Sequence, residues 1–376
     1  RDACFFEAGA WLRVSHYGEA DRASACSAEE GRNVRQACGI IDVSTLGKIE
    51  VIGPDAARLL EGTYTMRMGN ASPGKTRYAL MVDDTGVIID DGVVGRLSQD
   101  HYYLTATSGH AAATVRTLRR HIVEWGLDAR VVDRTGQLAA VNLAGPASRR
   151  VLSELTDAAL DDESFPYLAI REATVCGHPA RLMRVGFVGE LAYEIHVPAD
   201  GVTAVWDAAM RAGTPAGIRP FGVEAQRILR LEKGHIIVGQ DTDGLTTPFD
   251  CGMSWAVHLK KPFFKGRGAL AHLKGQSAKQ LVPFALPEHE AGLLPRECHL
   301  VIRNGDIAGR VTSIAHSPTL GRPIGMAMVD RELAESGESL TVRVDEGQLI
   351  TAERVTAPFY DPKGERQRPA TEEAVQ

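Results

Sequence analysis

Ile49-Glu-Val-Ile-Gly-Pro-Asp-Ala-Ala-Arg-Leu-Leu60 recurs, with changes, as Val141-Asn-Leu-Ala-Gly-Pro-Ala-Ser-Arg-Arg-Val-Leu152. Each copy reads as a strand, a Gly-Pro turn and a helix. Proline falls at the first helical position, where its missing N–H costs nothing. Two copies predict two related units of strand–helix–strand–strand–helix–strand type, an α+β arrangement.

Working outward, Arg77–Val82 and Val87–Val94 read as paired strands and Tyr102–Ala106 as another. Ser108 is placed to cap a helix whose apolar positions Val115, Leu118, Ile122 and Trp125 recur at helical spacing, with Gly126 as its stop. Beyond the second copy, Ala180–Val185 and Ala192–Val197 read as a hairpin. Val202–Ala212 and Val223–Lys233 read as amphipathic helices. Before the first copy, a helix is expected within Ser27–Gln36 and a strand over Gly39–Ser44. Residues 245–280 are aromatic and lysine-rich and read as a connector. From about residue 281, strand patterns with turns at Asn304-Gly305 and Glu346-Gly347 predict an all-β domain. The expected organisation is therefore a first α+β lobe from 1–48 and 141–280, a second from 49–140, a β domain over 281–360, and a disordered tail over 361–376.

The 376 residues are 44% hydrophobic and 24% charged, an ordinary globular balance. A net charge of −6 provides no footprint for nucleic acid or an anionic membrane. No apolar run approaches transmembrane length, and no signal peptide is visible. Six cysteines are scattered without C-x-x-C spacing, which argues against a disulfide framework or zinc ribbon and fits a cytoplasmic location. The chain opens Arg1-Asp2 rather than with methionine, as expected for a piece of a longer polypeptide or a processed product.

The polar residues inside apolar runs are the candidates for chemistry. In Thr85-Gly-Val-Ile-Ile-Asp-Asp-Gly-Val-Val94 two carboxylates interrupt a β-branched run. Alternation points Asp90 and Asp91 to opposite faces, so at least one faces inward and needs partners. A turn at Asp90-Asp91-Gly92 is an equal alternative. Tyr78 lies thirteen residues before Asp91 across the expected hairpin, and reads as a pocket wall or a core tyrosine. Glu194 is an inward carboxylate or part of a solvated strand face. Arg230 offers a planar fork of donors or a surface pair. Gly69-Asn-Ala-Ser-Pro-Gly-Lys-Thr76 matches a phosphate loop letter for letter. A strand, not the helix that cradles phosphate, follows it, so nucleotide hydrolysis is rejected.

Taken in order, several short motifs resemble the glycine-cleavage T-protein family of folate-dependent aminomethyltransferases. They are Asp42-Val-Ser44, Tyr78, Ile89-Asp-Asp91, Gly145-Pro146, Gly186-x-x-Gly-Glu190 with Tyr193-Glu194, Leu229-Arg-Leu-Glu232, Gly239-Gln240, Ser254-Trp255 and Thr312-Ser313 through Ser317-Pro-Thr-Leu-Gly321. The likeness runs from about residue 30 to 358. Within the family, Ser44–Val51, Ala192-Tyr-Glu-Ile195 and Leu231–Asp243 give a closer likeness to the carboxy-terminal, folate-binding part of heterotetrameric sarcosine oxidase α subunits. The resemblance implies a three-lobed fold: two ferredoxin-like α/β units plus a C-terminal barrel or jelly roll, with tetrahydrofolate near the centre.

It further implies Asp91 as the catalytic residue beside the reacting folate nitrogens. Tyr78, Glu194, Arg230 and Trp255 stand at cofactor-binding positions. Phe187 stands where a tyrosine is usual, and Thr107 where an asparagine is usual. The implied activity is capture of the methyl-derived carbon of an oxidised N-methyl amine, such as sarcosine, as 5,10-methylenetetrahydrofolate. The implied partners are flavoprotein oxidase subunits or an upstream dinucleotide-binding domain, with FAD, FMN or NAD held there. The alternatives are a non-catalytic folate-binding scaffold docked on such an oxidase, and a folate-dependent demethylase of another methyl donor.

Overall fold

The computed structural model describes residues 2–287 and 294–368. The chain opens with a hairpin, β1 (Ala3–Ala8) and β2 (Trp11–Tyr17), followed by α1 (Ala23–Gln36) and β3 (Cys38–Asp42). The first repeat unit is β4 (Gly47–Ile52), α2 (Ala56–Thr63), β5 (Lys75–Val82), β6 (Ile88–Ser98), β7 (His101–Ala106), α3 (Ala111–Trp125) and β8 (Arg130–Asp133). The second is β9 (Leu138–Ala144), α4 (Ser148–Ser153), β10 (Ile170–Val175), β11 (His178–Met183), β12 (Ala192–Pro198), α5 (Val202–Ala212) and β13 (Ile218–Pro220).

The two units share one strand order. The first sheet runs β5-β6-β7-β4-β8 and the second β10-β11-β12-β9-β3-β13, with β3 inserted before the last strand. Each unit places a three-strand meander between its helices, one strand more than the expected type. In the second unit β10 was hidden from the sequence reading because Arg171, Glu172 and Thr174 give an edge strand a polar pattern. The turn after the first strand of each unit is also shared. Gly53 and Gly145 adopt φ of +133° and +121°, and a Cβ there would lie 2.7 Å from Asp128 O and 2.6 Å from Val34 O respectively. Only glycine combines that conformation with such close backbone. The prolines after them sit in this turn, closed by Ala56 N–H to Gly53 O and Ser148 N–H to Gly145 O at 3.0 Å each, and not in the first helical position. Ser108 likewise does not cap α3: His110 precedes the helix, while the Ser108 hydroxyl bonds Thr45 Oγ1 at 2.7 Å. Gly126 does end α3, with a left-handed φ of 59°.

Period-two alternation then sorts the first sheet's side chains. Ile49, Val51, Val94 and Leu104 pack beneath α2 and α3. Their neighbours face the second sheet, where Val93 and Tyr103 meet Ile170, Met183 and Val185. Arg181 of β11 crosses this layer to Glu50 of β4 at 2.5 Å.

After α6 (Val223–Glu232) and a connector containing α7 (Arg267–Leu273), the chain closes a barrel. Its strands are β14 (Lys279–Ala285), β15 (Leu300–Arg303), β16 (Asp306–Ser317), β17 (Arg322–Asp330), β18 (Leu340–Arg343) and β19 (Leu349–Arg354), with α8 (Arg331–Ser336) between β17 and β18. They run in the order β14-β17-β16-β15-β18-β19, and β14 pairs β19 to close the ring around Phe284, Val301, Val311, Val329 and Val342.

The segment expected to be a disordered tail is anchored as far as residue 368. Buried Glu190 accepts from Arg366 Nε at 3.0 Å, Lys233 Nζ donates to Asp361 O at 2.6 Å, and Arg368 lies over the Tyr167 ring at 4.8 Å. A buried carboxylate demands cations, and the polar composition read as solvation supplies one. Residues 369–376 lie outside the described residues. Among the described residues, no helix is long and apolar enough to cross a membrane.

Candidate active site

Strand β6 carries both aspartates and divides them as alternation requires. Asp90 turns under α3, where Thr107 Oγ1 donates to its Oδ1 at 2.6 Å and Thr114 Oγ1 to its Oδ2 at 3.0 Å. Burial pushes its carboxyl up, and the two hydroxyls oppose the rise. Asp90 is thus buried, only 3% exposed, and both faces of the strand are covered. Asp91 turns to the opposite face, towards the second sheet. Leu80 pairs with Asp91 and Tyr78 with Val93, so Tyr78 is its diagonal neighbour across the hairpin. The phenol donates to Asp91 Oδ2 at 2.7 Å.

Burial perturbs both members of this pair. Burial lifts Asp91 to about 6, with the Tyr78 hydroxyl holding it down and the Asp90 charge adding to the rise. Burial, reinforced by Asp91, raises the Tyr78 phenol well above its ordinary value. The backbone beside them is specialised too. A Cβ on Gly92 would lie 2.0 Å from Thr105 O, and Val93 N–H bonds the Thr105 hydroxyl at 3.1 Å. Glycine lets β6 and β7 stay close just beyond the last paired residues, Val94 and Leu104. Trp255, in the short turn Ser254–Ala256, lies with its ring 5.7 Å from that of Tyr78 and remains 60% exposed. Tyr78, Asp91 and Trp255 thus come together as one aromatic and carboxylate wall.

The other expected residues lie elsewhere. Thr107 serves Asp90, as above. Glu194 on β12 belongs to the facing sheet: its Oε2 lies 3.0 Å from His196 Nε2, and His196 Nδ1 lies 2.8 Å from the Tyr103 hydroxyl. Phe187 holds His235, with its carbonyl 2.8 Å from His235 Nδ1 and the rings 5.7 Å apart. Arg230 does not present a free fork. It is 1% exposed and donates to Asp241 Oδ2 at 2.6 Å, Ser313 Oγ at 2.7 Å and His235 O at 2.8 Å, tying α6 to the barrel. Here buried Asp241 and the barrel hydroxyl already engage the guanidinium.

Three residues escaped the sequence reading. Lys48 is fully buried, its Nζ donating to Ser44 O and Leu46 O at 2.7 Å each, and burial lowers it to about 8. Tyr103 and His196 are the others. Their only signal was polarity at inward strand positions. A recess of about 390 Å³ between α3 and residues 262–269 contains none of the expected site residues. No metal-ligating cluster occurs among the described residues.

Residues 1–261 match the family model of the GCVT N-terminal domain, and residues 279–361 that of the glycine cleavage T-protein C-terminal barrel domain. An aminomethyltransferase of Halothermothrix orenii is 35% identical over 88% of this chain and 90% of its own length. One of Streptomyces coelicolor is 36% identical over 88% and 89%. A sarcosine oxidase subunit alpha of Corynebacterium sp. is 36% identical over 97% of this chain, but the chain spans only 39% of that protein. In structure, a glycine cleavage system aminomethyltransferase T from Bartonella henselae superposes with a TM-score of 0.84 at 23% identity, covering 96% of this chain and 95% of that one, a likeness of fold.

Proposed function

The chain belongs to the glycine-cleavage T-protein family, and on that footing we propose that it is the folate-binding, one-carbon-transferring part of a sarcosine-oxidase-like enzyme. The carbon comes from an N-methyl amine, such as sarcosine, already oxidised by other parts of the assembly. Those parts would hold the flavin and nicotinamide groups. Tetrahydrofolate supplies the amine nitrogens that accept the carbon, and the product is 5,10-methylenetetrahydrofolate.

The observation that carries this reading is the Tyr78–Asp91 pair. Tyr78 and Trp255 form an aromatic wall and Asp91 a hydrogen-bond acceptor beside it, a donor and acceptor set that suits a flat, N–H-rich ring system. Asp91, titrating near 6, can hold or release a proton at an amine nitrogen around neutral pH. As a carboxylate it stabilises positive charge building on the carbon being transferred. Tyr78 pins the carboxylate to one orientation, which lowers the ordering cost of the reacting geometry. Glu194, on the facing sheet, is the second acceptor for ligand N–H groups, whereas Arg230 acts as a strut.

Replacing Asp91 with Asn keeps the shape and removes the charge and proton. Tetrahydrofolate binding, followed by the fluorescence of Trp255 beside the pair, should persist. Methylene transfer in the assembled enzyme should fall by about 10²–10⁴-fold, the range for general acid–base groups. Undiminished transfer by D91N would remove Asp91 from the chemistry.

A further inference from the structure

We propose that Tyr103 and His196 form a positioning pair that holds the Glu194 carboxylate in its ligand-facing orientation, an inference that rests on the folate reading above. Glu194 and His196 are two apart on β12 and so share the face turned to the first sheet. Tyr103 comes from β7 of that first sheet. The chain of contacts therefore stitches the two repeat units together at Glu194.

The hydrogen bonding fixes how the three groups are used. A carboxylate at Nε2 of a neutral imidazole places the hydrogen there, and Nδ1 then accepts from the Tyr103 hydroxyl. Tyr103 is itself immobilised. It is fully buried, stands edge-on to His196 with ring centres 5.5 Å apart, and carries the Arg181 guanidinium over its face at 4.5 Å. His196 is 1% exposed, whereas the Glu194 side chain keeps 15% exposure. The outer member of the triad is thus the one open to a ligand. His196 engages Oε2, and Oε1 accepts no hydrogen bond among the described residues.

The surroundings argue that this is more than packing. Beside the triad the layer packs Met183, Val185 and Ile170, with the Arg181–Glu50 ion pair crossing it. An apolar pair in place of Tyr103 and His196 would fill such a space without the cost of desolvating a phenol and an imidazole. Keeping both polar groups makes sense if the carboxylate at their end must be held still. A pinned carboxylate loses less freedom when it takes the paired N–H donors on the edge of a pterin-like ring.

The test is the affinity of the chain for tetrahydrofolate, measured by calorimetry in a double-mutant cycle. E194Q should weaken binding about tenfold or more, and H196L about tenfold. H196Q, whose side-chain amide can still donate to Glu194, should stay within about threefold of the parent. E194Q/H196L should bind no worse than E194Q alone. If H196L does not fold, as judged by its thermal transition, Y103F decides, with an expected loss of about threefold. Parental affinity in H196L or Y103F, or a double variant whose loss is the product of the two single losses, overturns the positioning pair. A parent chain that does not bind tetrahydrofolate overturns the folate reading and the pair with it. Parental affinity in E194Q removes Glu194 from the ligand and the pair with it, while leaving the Asp91 assignment standing.

Discussion

Replacing Tyr78 with Phe removes one oxygen from the site and isolates what that oxygen does. The phenol donates to Asp91 Oδ2 at 2.7 Å, a hydrogen bond to a group that is charged when ionised. Such bonds contribute about 1.5–3 kcal/mol, and 1.36 kcal/mol corresponds to one pH unit of titration. Asp91 is half-buried, so water can take over part of the phenol's place. The expected effect is therefore about one pH unit, carrying Asp91 from about 6 to about 7. At pH 6.5 the ionised fraction would fall from about three-quarters to about one-quarter. The side-chain carboxyl resonance of Asp91, assigned by its loss in D91N, reports this directly in a ¹³C NMR titration. The acid limb of methylene transfer should move up with it. Linkage gives the sign for stability. A carboxyl held above its ordinary range in the fold favours the folded state at low pH, and that contribution is lost as pH rises through about 6. An unmoved Asp91 titration in Y78F, or a resonance near the ordinary carboxylate range in the parent, would refute the argument that burial and this one bond set its acidity.

Two further outcomes test the frame around the site. Arg230→Met strands fully buried Asp241, so equilibrium urea unfolding should show a loss of about 3–5 kcal/mol, the usual result of removing one partner from a buried pair. A loss below about 1 kcal/mol would mean that Thr312 and Ser313 satisfy Asp241 without the arginine. Gly92→Ala puts a methyl 2.0 Å from a backbone carbonyl in the neighbouring strand, so β6 and β7 must separate. The expected cost is about 1–3 kcal/mol, with weaker tetrahydrofolate binding because Asp91 moves with its strand; unchanged stability and affinity would show that the strands part freely.

The repeat at 49–60 and 141–152, the hairpin joining Tyr78 to Asp91 and the all-β character of the terminal domain were legible because each rests on local rules. Gly-Pro punctuation, period-two alternation and turn residues act over a few positions, and the backbone obeys them before any long-range contact forms. Alternation even divided Asp90 from Asp91 correctly by face. It could not say that both faces are covered, because that depends on α3 packing over one and the second sheet over the other. The first strand of the second meander, β10, was hidden for a related reason. An edge strand such as β10 buries little, so its sequence carries little pattern.

What remained closed to the sequence is the choice of partner among polar groups far apart in the chain. Arg230 could pair with a ligand or with a carboxylate; Asp241, eleven residues on, and Ser313, eighty-three residues on, decided it. Glu194 could be a solvated face; His196 beside it and Tyr103 in the other unit decided that it is held. Polyvalent side chains satisfy whichever donor or acceptor the fold brings within about 3 Å, and desolvation penalises any other outcome. Secondary structure and the identity of the two units are thus properties of short stretches. The grouping of Tyr78, Asp91 and Trp255, and the removal of Arg230 from it, came only when the sheets and the barrel closed on one another.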